Sequence, residues 1–124
     1  MARILMIEDN AANMKLALLL LNNAGHEVSC AVDAETGVAL AREQLPELIL
    51  MDIQLPGMDG LAATALLKGD PVTAAIPVIA LTAMAMKDDR ERSLHAGCNA
   101  YIAKPLRYNE LYATIDSLLR SDKQ

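Results

Sequence analysis

Glu47-Leu48-Ile49-Leu50-Met51 sets four apolar residues in succession and runs straight into Asp52. The run has the length of a strand and is apolar on both faces, as a central parallel strand covered from two sides must be. Runs of similar length lie on either side of it in the chain. Arg3-Ile4-Leu5-Met6-Ile7 ends at the acidic pair Glu8-Asp9, and Glu27 to Ala31 follows. Beyond the central run come Ile76-Pro77-Val78-Ile79-Ala80-Leu81 and the short Ala100 to Ala103.

Helical patterns fill the intervals. Asn10 to Ala24 reads as a helix with Asn10 as N-cap and Gly25 as its terminator. Asp33 caps a second helix ending near Gln44. Asp59 opens a third, closed by Gly69-Asp70-Pro71, and Met84 to Ala96 forms a fourth, ended by Gly97. Leu111, Ile115, Leu118 and Leu119 mark the apolar stripe of a last helix. Regular alternation with short connections predicts an α/β fold, a five-stranded parallel sheet with helices on both faces. Right-handed crossovers leave few topologies, of which the doubly wound, flavodoxin-like (βα)5 order 2-1-3-4-5 is the expected one.

At 124 residues, with no linker, repeat or low-complexity tract, residues 1–124 are expected to form one domain with no separate output domain. No stretch approaches the ~20 apolar residues that cross a bilayer, and no leader opens the chain, so a cytoplasmic protein without membrane insertion is expected. A net charge of −5, scattered Lys and Arg, and three Tyr with no Phe or Trp argue against direct nucleic-acid binding. Cys30 and Cys98 form no closely spaced pair and are expected to be small buried residues rather than zinc ligands or a disulfide. His26 and His95 are expected on the surface.

Ligand sites in such sheets lie beyond the carboxyl ends of the strands. Those ends carry Glu8 and Asp9, then Asp52, Thr82 and Lys104. In the order 2-1-3-4-5 they become neighbours. Three carboxylates within ~5 Å repel by roughly 3 kcal/mol per pair at an effective dielectric of ~20. One Lys does not offset that. A divalent cation does, and Mg²⁺ suits a site offering a few carboxylate oxygens and room for water. A carboxylate neutralised by a metal, a Lys and a hydroxyl is suited to accept a phosphoryl group. Spacing alone does not say which carboxylate is the acceptor.

The motifs Glu8-Asp9-Asn10, Leu50 to Gly60, Leu81-Thr82-Ala83 and Tyr101-Ile102-Ala103-Lys104-Pro105 resemble, in order and spacing, those of the response-regulator receiver domains of two-component signalling. The resemblance covers essentially the whole chain and is nearest to CheY-like single-domain regulators. It implies that Asp52 is phosphorylated from a phosphohistidine on a sensor histidine kinase or histidine phosphotransfer protein. It implies that Glu8, Asp9, Asp52 and the backbone carbonyl of Gln54 hold Mg²⁺, that Thr82 and Lys104 contact the phosphoryl oxygens, and that the Lys104–Pro105 peptide is cis. Tyr101 matches an aromatic that swings inward with Thr82 on activation, a simply packed strand residue being the alternative. The expected output is protein contact, as a relay intermediate or as an effector of another protein. Its expected surface is Met84, Met86, Lys87, Tyr101, Arg107 and Tyr108.

Other functions fit less well. A phosphatase with an aspartyl nucleophile needs an acid where Gln54 stands and extra chain for a substrate cap, so the domain is expected to promote only its own phosphorylation and dephosphorylation. A flavin module needs a phosphate loop where Glu8 and Asp9 would repel an anion. In the first helix, Leu16, Ala17, Leu20 and Leu21 supply the buried stripe. Leu18 and Leu19 are then turned outward, as incidental leucines or as a docking patch for the phosphodonor.

Overall fold

The computed structural model describes residues 2–55, 57–82 and 87–122. Five parallel strands, β1 (Arg3–Ile7), β2 (Glu27–Ala31), β3 (Leu48–Asp52), β4 (Val78–Thr82) and β5 (Ala100–Ala103), lie in the order β2-β1-β3-β4-β5. The helices are α1 (Ala11–Asn23), α2 (Ala34–Gln44), α3 (Gly60–Gly69), α4 (Lys87–His95) and α5 (Tyr108–Asp122). The expected flavodoxin-like fold is present. Residues 83–86, which the sequence assigns to the start of the fourth helix apart from Ala83, lie outside the described residues, as does Pro56.

Side-chain alternation divides the core into two layers. Leu5, Ile7, Ile49, Met51, Val78 and Ala80 face α2 and α3 through Ala34, Ala41, Ala63 and Leu67. Ile4, Met6, Leu48, Leu50, Ile79 and Leu81 face α1 and α5 through Ala17, Leu21, Leu111 and Ile115. Every residue of β3 and β4 is buried, which explains why those two runs are apolar without alternation. Among the described residues, no helix is long and apolar enough to cross a membrane.

The helix starts follow from their caps. Asn10, Asp33 and Asp59 each accept the N–H of the residue three positions on, at 2.9, 2.7 and 2.8 Å. At the far end of α1, Gly25 takes φ +86°, a conformation that only glycine adopts without strain.

Four expectations need correction. β4 begins at Val78 rather than Ile76, because Pro77 has no N–H to give a ladder; it contributes its carbonyl, which accepts the Ile49 N–H at 2.9 Å. Cys30 is exposed while Cys98 is buried. Cys30 sits on β2, an edge strand of which only Ala31 is buried. Leu18 is half-buried rather than turned outward, whereas Leu19 is 58% exposed. His26 is also half-buried and accepts the Ala2 N–H on Nδ1 at 3.1 Å.

One contact ties the α3 start to the end of β3. The Gly60 N–H donates to the Ile53 carbonyl at 3.3 Å, and a Cβ on Gly60 would collide with the Asp52 carbonyl oxygen and lie 2.7 Å from Ile53 Cα. Both are backbone atoms, which cannot swing aside. Gly60→Ala should therefore displace the Asp52 turn and destabilise the fold by about 1–3 kcal/mol, the usual cost of overpacking. Urea unfolding checks this; an unchanged midpoint would show that the turn has slack.

Candidate functional site at the strand ends

The carboxyl ends of β1, β3, β4 and β5 converge at one pole of the sheet. Register places Ile7 beside Met51, Asp52 beside Leu81 and Thr82 beside Ala103. Glu8 follows directly on β1, Asp52 closes β3, Thr82 closes β4 and Lys104 follows β5. Glu8, Asp52 and Thr82 are buried, while Asp9 is exposed at the rim.

Lys104 reaches inward past the end of β4. Its Nζ lies 3.1 Å from Asp52 Oδ2 and 2.8 Å from Glu8 Oε1. Backbone amides hold the other two oxygens: the Gln54 N–H donates to Asp52 Oδ1 at 2.9 Å and the Asn10 N–H to Glu8 Oε2 at 3.2 Å. Asp52 is thus fixed from both sides, by a cation on one oxygen and a peptide dipole on the other. The Lys104–Pro105 peptide is cis. Tyr101 is half-buried on β5, paired with Ala80, and packs against the core layer facing α2 and α3.

Titration reflects the crowding. Burial, and then the neighbouring Asp52 carboxylate, push the Glu8 carboxyl up to about 7, against the opposing pull of Lys104 and the Asn10 amide. Burial works against the Lys104 ammonium as well, yet Glu8 and Asp52 outweigh it and hold Lys104 above the ordinary lysine value.

The donor set fits a hard divalent cation. Glu8, Asp9 and Asp52 each offer one carboxylate oxygen within 4.8 Å of the others. Glu8 Oε1 is buried and accepts no hydrogen bond, its Lys104 neighbour being an ionic contact outside hydrogen-bonding geometry. Oxygen ligands in this number are what Mg²⁺ takes when it keeps several waters.

The strand-end residues expected from the sequence are therefore together at one pole. Of the expected interface residues, Tyr108 is 64% exposed and Arg107 is exposed, while Met84, Met86 and the side chain of Lys87 lie outside the described residues. Sequence reasoning missed Asn13 and Leu106, which with Leu16 wall a small cavity against Glu8 and Lys104.

A five-stranded parallel sheet with an acidic pair, an aspartate, a buried hydroxyl and a lysine at its carboxyl pole defines the receiver class of signalling domain. The chain belongs to that family: residues 4–116 match the response regulator receiver domain. The polar-differentiation response regulator DivK of Brucella anthropi is 47% identical over 116 residues, 94% of each chain. The receiver domain of a sensor histidine kinase from Pseudomonas aeruginosa, solved with magnesium coordinated in its active-site cleft, superposes with TM-score 0.89 at 36% identity, covering 95% of this chain and 97% of the other. A response regulator structure from Chloroflexus aurantiacus gives TM-score 0.93 at 28% identity, over 96% and 98%. The protein is a CheY-like receiver acting in two-component, phosphorelay signal transduction.

The raised Glu8 pKa has a consequence for stability without metal. A carboxyl that holds its proton more tightly when folded contributes stability fully below its unfolded value of 4.5 and loses it as pH rises through about 7. The loss is on the order of 3 kcal/mol. In EDTA, Glu8→Gln should gain stability relative to the wild type between pH 5 and 8. Parallel stability profiles for the two proteins across that range would refute the assignment.

Proposed function

We propose that Asp52 accepts a phosphoryl group from a phosphohistidine on a sensor histidine kinase or histidine phosphotransfer protein, in a Mg²⁺-dependent reaction in the cytoplasm. The observation that carries this reading is the clamped, buried carboxylate: Lys104 at 3.1 Å on one oxygen, the Gln54 N–H at 2.9 Å on the other, and two further carboxylates alongside. Such a group does not need to reorganise before it attacks.

An Asp52 oxygen attacks phosphorus, the P–O bond forms, the P–N bond to imidazole breaks, and its electron pair returns to the ring nitrogen. Lys104 donates to the phosphoryl oxygens, and the Thr82 hydroxyl donates to another of them. Glu8, Asp9, Asp52 and the Gln54 carbonyl would hold Mg²⁺, which would supply the remaining positive charge that the oxygens require. Water then hydrolyses the acyl phosphate, releasing inorganic phosphate and restoring the Asp52 carboxylate, so the domain promotes only its own phosphorylation and dephosphorylation.

Signal leaves through a change at the surface. Thr82 drawn toward the phosphoryl group frees space for Tyr101, and the β5–α5 side with Tyr101, Arg107 and Tyr108 then meets a downstream effector. Leu19, 58% exposed on α1, supports docking of the phosphodonor on that side of the site. The half-buried Leu18 contributes less.

Labelling with acetyl phosphate tests the chemistry. The wild type should gain one acid-labile phosphoryl group only with Mg²⁺, and Asp52→Asn should gain none while melting normally. Undiminished labelling of Asp52→Asn would overturn the acceptor assignment. A melting temperature indifferent to Mg²⁺ would overturn the metal assignment, since at a hundred times its dissociation constant a ligand adds roughly 2.7 kcal/mol.

Docking separates from chemistry by the choice of donor. Leu19→Ser should slow transfer from the cognate kinase by about tenfold, the worth of one buried leucine, and leave acetyl phosphate labelling unchanged. Equal slowing with both donors, or with neither, removes the docking role.

A further inference from the structure

Glu8 Oε1 is buried and accepts no hydrogen bond, which is costly for a carboxylate. Beside it lies a cavity of about 10 Å³ lined by Glu8, Asn13, Leu16, Lys104 and Leu106. That is the space one water needs, provided that two to four polar groups hold it. Three of these residues are polar, Glu8, Lys104 and Asn13. Leu16 and Leu106 form the rest.

We propose that Asn13 is a positioning residue, holding one buried water that bridges it to Glu8 and Lys104; the proposal rests on the phosphoryl-accepting role of the site. The donor count supports it. Lys104 has three N–H donors; its contact to Asp52 takes one, and its contact to Glu8 lies outside hydrogen-bonding geometry, so a donor remains for the water. The water donates one hydrogen to Glu8 Oε1 and the other to the Asn13 side-chain oxygen. The buried oxygen gains its missing donor, and the ammonium is held from a third direction. Asn13 is well placed because its own N–H is bound to Asn10 Oδ1 at 2.9 Å, which anchors its backbone one turn above Glu8. Its side chain touches no reacting atom; it acts by keeping Lys104 aimed between Glu8 and Asp52.

High-resolution crystallography of the metal-free protein reads the site directly. The wild type should show one ordered water within hydrogen-bond distance of Glu8 Oε1, Lys104 Nζ and the Asn13 oxygen, and Asn13→Leu should lack it. Acetyl phosphate labelling of Asn13→Leu at saturating Mg²⁺ should slow about tenfold, as expected for one lost hydrogen bond at a charged group. Its Mg²⁺ dissociation constant should change less than twofold, and Asn13→Ser, which leaves room for the water and offers an oxygen, should recover most of the rate. No ordered density at Glu8 Oε1 in the wild type overturns the proposal, as does an Asn13→Leu rate equal to that of the wild type. Equal slowing in the Leu and Ser variants overturns it too, by showing a general disturbance of α1. Should the wild type accept no label at all, the phosphoryl-accepting reading fails, and the electron density alone still decides the water site.

Discussion

The structure depends on one half-buried cation shared by two buried carboxylates. Lys104 comes from the end of an edge strand, β5, and its ammonium reaches Asp52 on β3 and Glu8 after β1. At ~3 Å and an effective dielectric of ~20, each such pair attracts by roughly 5 kcal/mol, enough to oppose the desolvation of the ions and little more. The balance holds only because every strand is parallel, so that all five end at the same pole. An antiparallel neighbour would carry its terminus, and its charge, to the far side of the sheet.

That electrostatic cluster requires an unyielding frame. β3 and β4 are buried on both faces, so neither strand can slide without exposing large apolar side chains to water or to the wrong layer. The end of β3 is pressed against α3, where the close approach at Gly60 leaves no room for a side chain. At the opposite pole, Lys68 Nζ donates to the carbonyls of Ala74 and Ile76 and to Asn99 Oδ1, and Asn99 Oδ1 also accepts the Val78 N–H. This net pins the entry to β4. The sheet is thus held at its amino end by hydrogen bonds and at its carboxyl end by charge.

Much of this was legible in the sequence because the informative signals are local. The caps Asn10, Asp33 and Asp59 act within one helical turn, and the apolar runs report burial on both faces. The strand-end polar residues were legible for a different reason: parallel topology turns a one-dimensional position, the residue where a strand stops, into a shared location in space. What stayed hidden depends on distant contacts. Cys30 has the composition of a core residue, and only the edge position of β2 exposes it. Leu18 is half-buried, although the helical periodicity of the sequence predicts an outward position. The cavity beside Glu8 exists because α1 meets the loop after β5, which brings Leu106 against Asn13 and leaves no trace at either position in the sequence.

The same charge imbalance accounts for both states of the site. Three carboxylates face one ammonium, so the metal-free fold must reduce the excess. It does so at Glu8, the most deeply set of the three, whose carboxyl is pushed up to about 7 by burial and by Asp52. A proton on Glu8 and a divalent cation among the carboxylates are therefore alternative ways of meeting one deficit of positive charge. Lys104 remains the constant partner in either case, since the carboxylates hold its pKa high and it does not give up its proton. Asp52 keeps a cation on one oxygen and an amide on the other while the excess is handled by its neighbours.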